Sequence, residues 1–230
     1  MTPPDGQVAP VRHRTMAAAA LEQLRQAIIL GELKPGEPLR LEDLARSLGM
    51  SISPIREAVR QLEALGLAEH VPHHGAKVMP LDIEELRELF SIRLALESMA
   101  LRWAAARFTA ADEEAAGAAI EHLREARARN DAGEAVAAHA AFHFALYAAA
   151  GSSALIRTIR PAWESCERYR PALLLASGEL PQRHEELDDE LLAACVAHDA
   201  GRAERALHEH LDLATGFYAV ELQGRSIFAT

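Results

Sequence analysis

From Met16 onward, apolar residues recur at three- and four-residue spacing, and only residues 68–78 switch to an alternating pattern. A chain so patterned must bury helix stripes against other helices, with room for one hairpin. The switch divides it in two. Before it, Ala20, Leu21, Leu24, Ile28 and Ile29 define a helix that Gly31 stops, and Leu33-Lys34-Pro35-Gly36-Glu37 reads as a turn. Leu44, Ala45 and Leu48 mark a second helix, from about Leu41 to Leu48, closed by Gly49. Ser53 and Pro54 are expected as the N-cap and first position of a third, through about Ala64, with Ile55, Ala58, Val59, Leu62 and Leu65 inward. Ala68 to Val71, a His73-His74-Gly75 tip and Ala76 to Val78 then read as a hairpin.

Beyond the Pro80-Leu81-Asp82 junction the pattern is helical almost throughout, with helices expected near 83–107, 110–129, 132–150, 153–174, 181–198 and 200–221. Thr109 and Asp112 spell a capping box. Pro161 is expected to kink or split the fourth of these helices, and Gly178 and Pro181 mark the longest break. The expected fold is mainly α: an N-terminal winged helix-turn-helix, then an antiparallel bundle of about six helices. The corresponding division is a flexible segment over 1–15, a DNA-binding domain over 16–80, a helical effector-binding and dimerisation domain over 81–222, and a tail over 223–230.

Charge narrows the function. The chain of 230 residues carries 24 Lys and Arg against 34 Asp and Glu, a net charge of -10, which disfavours polybasic binding. Residues 1–80 are balanced at nine against nine, so a nucleic-acid surface is expected in that third. Two cysteines, Cys166 and Cys195, give no disulfide framework or zinc-finger spacing, which suits a reducing cytoplasm. No signal-like or membrane-spanning apolar run is visible, so neither secretion nor a membrane partner is expected.

Two helices joined by a tight turn, the second polar at its start, suit a major groove. Ser51, Ser53 and Arg56 lie at that start, Arg60 is one turn further on the same face, and Lys77 and the His73/His74 tip sit on the wing. Any short amphipathic helix preceded by Ser and Pro shares this pattern, so periodicity leaves the reading open. The spelling is more specific. Ile29-x-Gly31-x-Leu33-x-Pro35-Gly36, then Leu44-Ala45-x-x-Leu48-Gly49-x-Ser51-x-Ser53-Pro54-Ile55-Arg56-Glu57-Ala58, then Leu62-x-x-x-Gly66-Leu67 and Gly75-x-x-Val78, closely resembles the winged-helix domain of GntR-type bacterial transcription regulators. The resemblance runs from about residue 17 to 80 and implies a homodimer on a short palindromic double-stranded operator, with Arg56 as a DNA contact and Glu57 serving the fold. Two departures stand out. Ile52 replaces an arginine that commonly touches DNA, and Leu41-Glu42 replaces a Glu-Arg pair.

In the second half, His139 and His143 are four apart and share a helix face. Spacing supports that pair alone as joint metal ligands; His122 and His198 read as surface or hydrogen-bonded filler. Residues 83–222 resemble the all-helical FCD effector domain of the FadR-like branch, through Leu89-Phe90-x-x-Arg93-x-x-Leu96-Glu97-x-x-Ala100, Phe142-His143-x-x-Leu146-x-x-x-Ala150-Gly151 and His210-Leu211. That resemblance implies a divalent metal at the floor of a ligand cavity, held by one Asp and three His. Carried over, it gives His139, His143, Asp188 and His210, with Asp and His exchanged between two positions of the usual pattern. A competing register puts His184 third. Zn is the expected ion, with Ni or Mn as alternatives. Arg93, with Arg168 or Arg170, is expected to meet a small carboxylate effector, and Trp163 and Tyr169 either line the cavity or pack.

The implied function is a metabolite-responsive transcription regulator rather than an enzyme. The alternative is a metal-dependent hydrolase or oxygenase carrying an accessory DNA-binding module. Against it, the chain has neither a Glu-x-x-His pair nor a His-Glu-x-x-His motif. A structural metal that only staples the bundle is a third reading.

Overall fold

The computed structural model describes residues 15–169 and 180–224. Helix α1 (Met16–Ile29) starts at Thr15, whose hydroxyl accepts from the Ala18 amide at 3.1 Å. A two-residue strand β1 (Pro38–Leu39) precedes α2 (Leu41–Leu48). Gly49, at φ +62°, then turns the chain in the left-handed region, and α3 (Ile52–Ala64) follows. Strands β2 (Ala68–Val71) and β3 (Gly75–Val78) pair antiparallel, and β1 adds to the other edge of β3, in the order β1-β3-β2. Three helices share one core of Leu24, Ile28, Ile55, Leu62 and Leu67 with this small sheet.

The bundle comprises α4 (Ile83–Ala105), α5 (Ala110–Ala128), α6 (Ala132–Ala148), α7 (Ser153–Glu167), α8 (Leu180–Val196) and α9 (Ala200–Gly224). Its starts are capped by short polar side chains, which satisfy amides that no preceding turn can reach. Asp82 accepts from the Glu84 and Glu85 amides, Asp131 from Glu134 and Ser152 from Leu155. The Thr109/Asp112 capping box is formed in both directions. Helix α4 packs against α6, α7, α8 and α9, so a residue on its inner face is buried between the others.

Four expectations need correction. Residues 38–39, which follow the expected turn and have no element assigned by their pattern, form a third strand; so short a strand has no periodicity to reveal it. The third helix starts one residue after Ser51, so Ser53 and Pro54 lie within its first turn, where a missing amide breaks no helical bond. Of the kink or split expected at Pro161, the split is absent, since α7 runs unbroken from Ser153 to Glu167. That helix also ends at Glu167, short of the expected 174. Arg170 and Gly178 lie outside the described residues, as do most of the N-terminal segment and residues 225–230 of the tail.

Candidate metal centre and DNA-reading surface

Helix α6 is apolar on nearly every side and exposes only alanines (Ala132, Ala137, Ala141 and Ala148), while His139 and His143 face inward, at 6% and 0% exposure. Asp188 on α8 and His210 on α9 arrive from the hairpin opposite, at 1% and 3%. One ligand atom from each of the four lies within 4.8 Å of all the others. Asp188 Oδ1 is 3.3 Å from His143 Nε2, 3.5 Å from His210 Nδ1 and 3.9 Å from His139 Nε2, and the two Nε2 atoms are 3.2 Å apart. An ion about 2.0–2.2 Å from each ligand sets neighbouring ligand atoms roughly 3–3.5 Å apart. The spacing fits.

The protonation pattern supports the same fit. The Tyr147 hydroxyl donates its proton to Glu97 Oε2 at 2.7 Å, so its oxygen accepts from His143 Nδ1 at 3.1 Å. In the tautomer with its proton on Nδ1, His143 turns its Nε2 lone pair toward Asp188 and His139 Nε2. Both Asp188 oxygens are buried without a hydrogen-bond donor, and the nearest arginine, Arg127, is 4.0 Å away. A carboxylate and an imidazole nitrogen thus face each other in the interior, which is costly unless a shared proton or a metal cation lies between them. The buried cluster is therefore chemically able to coordinate a divalent metal.

Glu97 and Tyr147 were not singled out in the sequence. Arg93 was, and its guanidinium is buried and already engaged: Nε donates to Glu97 Oε1 at 2.6 Å and Nη2 to Oε2 at 3.3 Å, while Cζ sits 4.1 Å from the Trp163 ring centre. Burial works against its charge, but Glu97 outweighs burial and holds the group above the usual arginine range. Burial, then the Glu97 charge, raises the Tyr147 phenol well above its ordinary value. The order Arg93, Glu97, Tyr147, His143 is one continuous buried hydrogen-bonded chain. The spacing of Glu97 and Tyr147, each four residues after an already named side chain, was the available signal. His184 is buried edge-on to His210, ring centres 4.4 Å apart, one turn before Asp188 and outside the four-atom group. A groove of about 590 Å³ between α8 and α9 includes none of the four; its walls carry Arg183, Glu190, Arg202 and Glu209, paired with one another or with Glu186.

On the N-terminal domain, Ser51, Ile52, Ser53, Arg56 and Arg60 are all exposed at the start and along one face of α3. Lys77 projects from β3 but is paired with Glu69 directly across the hairpin at 3.0 Å. Arg40, just before α2, is a further exposed cation of this domain. Among the described residues no helix is long and apolar enough to cross a membrane.

Residues 16–78 match the family model for bacterial regulatory proteins of the gntR family, and residues 88–213 match the FCD domain. A probable D-xylose utilization operon transcriptional repressor from Paenarthrobacter nicotinovorans is 34% identical over 204 residues, 86% of each chain. The repressor GlaR of Escherichia coli K12 is 32% identical, over 82% of this chain and 89% of its own. Among solved structures, E. coli McbR/YncC superposes with a TM-score of 0.77 at 27% identity, covering 89% of this chain and 97% of that one. These matches span both halves and are to transcription regulators, which displaces the enzyme alternative. A winged helix with an exposed recognition face, joined to a six-helix bundle around a buried His/Asp cluster, makes this chain a member of the GntR family of DNA-binding transcription regulators, with an FCD-type effector-sensing domain.

Proposed function

We propose that the protein is a homodimeric regulator that holds one divalent metal per subunit, Zn first, and senses a small organic acid in its helical domain. Its double-stranded operator is read through Ser51, Ile52, Ser53, Arg56 and Arg60, with Lys77 reaching from the wing. The reading rests chiefly on Asp188, a buried carboxylate with no hydrogen-bond donor facing an imidazole nitrogen.

A metal at this cluster supplies positive charge and open positions for an anion. Tyr147 orients His143, and Glu97 orients Tyr147 and Arg93. An incoming carboxylate that draws Arg93 away from Glu97 loosens the chain that fixes His143. Binding then regulates DNA only if the acid prefers one of the two arrangements of the dimer. Two relatives are named repressors, one of a D-xylose utilization operon, which favours release of DNA by a carbon-source metabolite.

The ligand set is tested by elemental analysis of purified variants. His143→Ala and Asp188→Ala should each lose most of the metal, whereas His184→Ala should keep most of it, because a residue that only orients a ligand matters less. Retention in Asp188→Ala with loss in His184→Ala would replace Asp188 by His184. No metal in the wild type after loading with Zn, Ni or Mn would remove the site. Operator selection from a random duplex pool, followed by a carboxylate screen for loss of the complex, tests the sensing half.

A further inference from the structure

The end of α7 touches both halves of the molecule. Trp163, buried, has its ring centre 5.0 Å from that of His143 and 5.8 Å from that of His139. Its Nε1 donates to Glu167 Oε1 at 3.3 Å, and Glu167 Oε2 accepts from Arg25 Nη1 on α1 at 2.7 Å. The same turn reaches the recognition helix. Ser165 Oγ donates to the Leu65 carbonyl at 3.0 Å, and Arg168 Nη1 donates to the Gly66 carbonyl at 3.1 Å.

Leu65 and Gly66 close α3, where a helix has carbonyls and no amides left to satisfy them. A guanidinium there also opposes the negative end of the helix dipole. Arg168 is only 1% exposed and is held by the Ser165 carbonyl at 2.9 Å, the Tyr169 hydroxyl at 3.2 Å and Glu85 at 2.5 Å. Contact is close: Gly66 has φ +70°, and a Cβ there would come within 2.9 Å of Ser165 Oγ. The recognition helix is thus capped by a different domain, about a hundred residues later in the chain.

We propose that the C-terminal turn of α7 positions the recognition helix according to the state of the His139/His143/Asp188/His210 cluster, with Trp163 at the cluster end and Ser165, Glu167 and Arg168 at the α3 and α1 end. The inference rests on reading that cluster as a metal centre. Its physical basis is the rigidity of a helix: Trp163 and the three capping residues lie within two turns, so a shift of the indole carries the caps with it. Spatial continuity alone is not coupling.

Amide hydrogen exchange of the full chain, with and without Zn²⁺, reads the two ends separately. In the wild type, zinc should slow exchange over residues 132–148 and change it over 52–66 by roughly fivefold or more, the lower end of ordinary allosteric coupling. Trp163→Phe keeps the ring and loses the indole N–H, and Glu167→Gln loses the charge facing Arg25. Both variants should keep the zinc response over 132–148 and show less than about a twofold change over 52–66. A wild type that responds only over 132–148, or variants whose 52–66 response equals the wild type's, would overturn the proposal. If zinc leaves 132–148 untouched, the metal reading fails, and His143→Gln supplies the perturbation instead. Transmission through α7 then stands if that substitution alters 52–66 exchange in the wild-type background and not beside Trp163→Phe. It falls if 52–66 is unaffected in both.

Discussion

Single side chains decide how this protein meets DNA. Arg56 is exposed near the start of α3, and its neighbour Ile52 is 37% exposed, at the place where the family resemblance implies an arginine. An exposed isoleucine at a helix start contributes nothing to the core, and the proposed reading sets it against a base edge, such as a thymine methyl. Arg56→Ala should weaken the specific complex by about 1–3 kcal/mol. Arg205→Ala, far along the chain on α9, should leave it unchanged; equal effects in titrations at matched salt would reject the assignment. Ile52→Arg should raise nonspecific affinity and steepen the salt dependence by up to about one phosphate contact. An unaltered slope would mean that position 52 stays clear of the backbone. In the bundle, burial pushes the Cys195 thiol up to about 12 and raises Cys166 as well. An unfolded thiol ionises near about 8.5, below the folded value, so this contribution is whole below that pH and is lost as pH rises toward 12. The urea midpoint should therefore fall in alkali, and Cys195→Ala should make the fall shallower. A fall of unchanged steepness would rule the thiol out.

Helices announced themselves in the sequence because their apolar stripes and caps are local properties. Thr109 and Asp112 meet three residues apart, and the alternation over 68–78 marks the hairpin. What escaped was set by partners distant in the chain. Strand β1 exists because Glu37 and Leu39 meet β3, and two residues carry no period. Ser165 and Arg168 look like surface polar residues until α3 is seen to end against them. Asp188 and His210 are single letters on separate helices, legible as ligands only through resemblance, whereas His139 and His143 share a face by spacing alone. Helix α4 raises a further question at this scale. Its outer face exposes Ile92, Met99 and Trp103, at 49%, 37% and 40%, in a helical stripe that the subunit leaves open to solvent. A contiguous apolar stripe with an aromatic anchor is what a self-complementary dimer contact uses. Trp103→Glu should shift the species seen by light scattering toward the 25.0 kDa subunit and weaken operator binding. A dimer that survives the substitution would place the contact elsewhere.

At the scale of the whole molecule, two cores are built on different plans. The DNA-reading core draws its buried residues from positions 20–78, a short and continuous stretch. The bundle core joins Leu86 on the first bundle helix to Leu207 and Leu211 on the last, and α4 packs along α9. During synthesis these plans have different completion times, because contacts between distant residues wait for the later one to emerge. The reader half can condense while the ribosome is still adding the sensor, and the sensor closes only when α9 arrives. Ribosome-bound chains arrested near residue 190, with α4–α6 clear of the exit tunnel, should resist brief proteolysis within 16–78 and be cut freely in α4–α6; uniform cleavage would contradict this order. Until the last helix docks, each nascent chain carries its DNA-binding domain without a completed effector-sensing domain beside it.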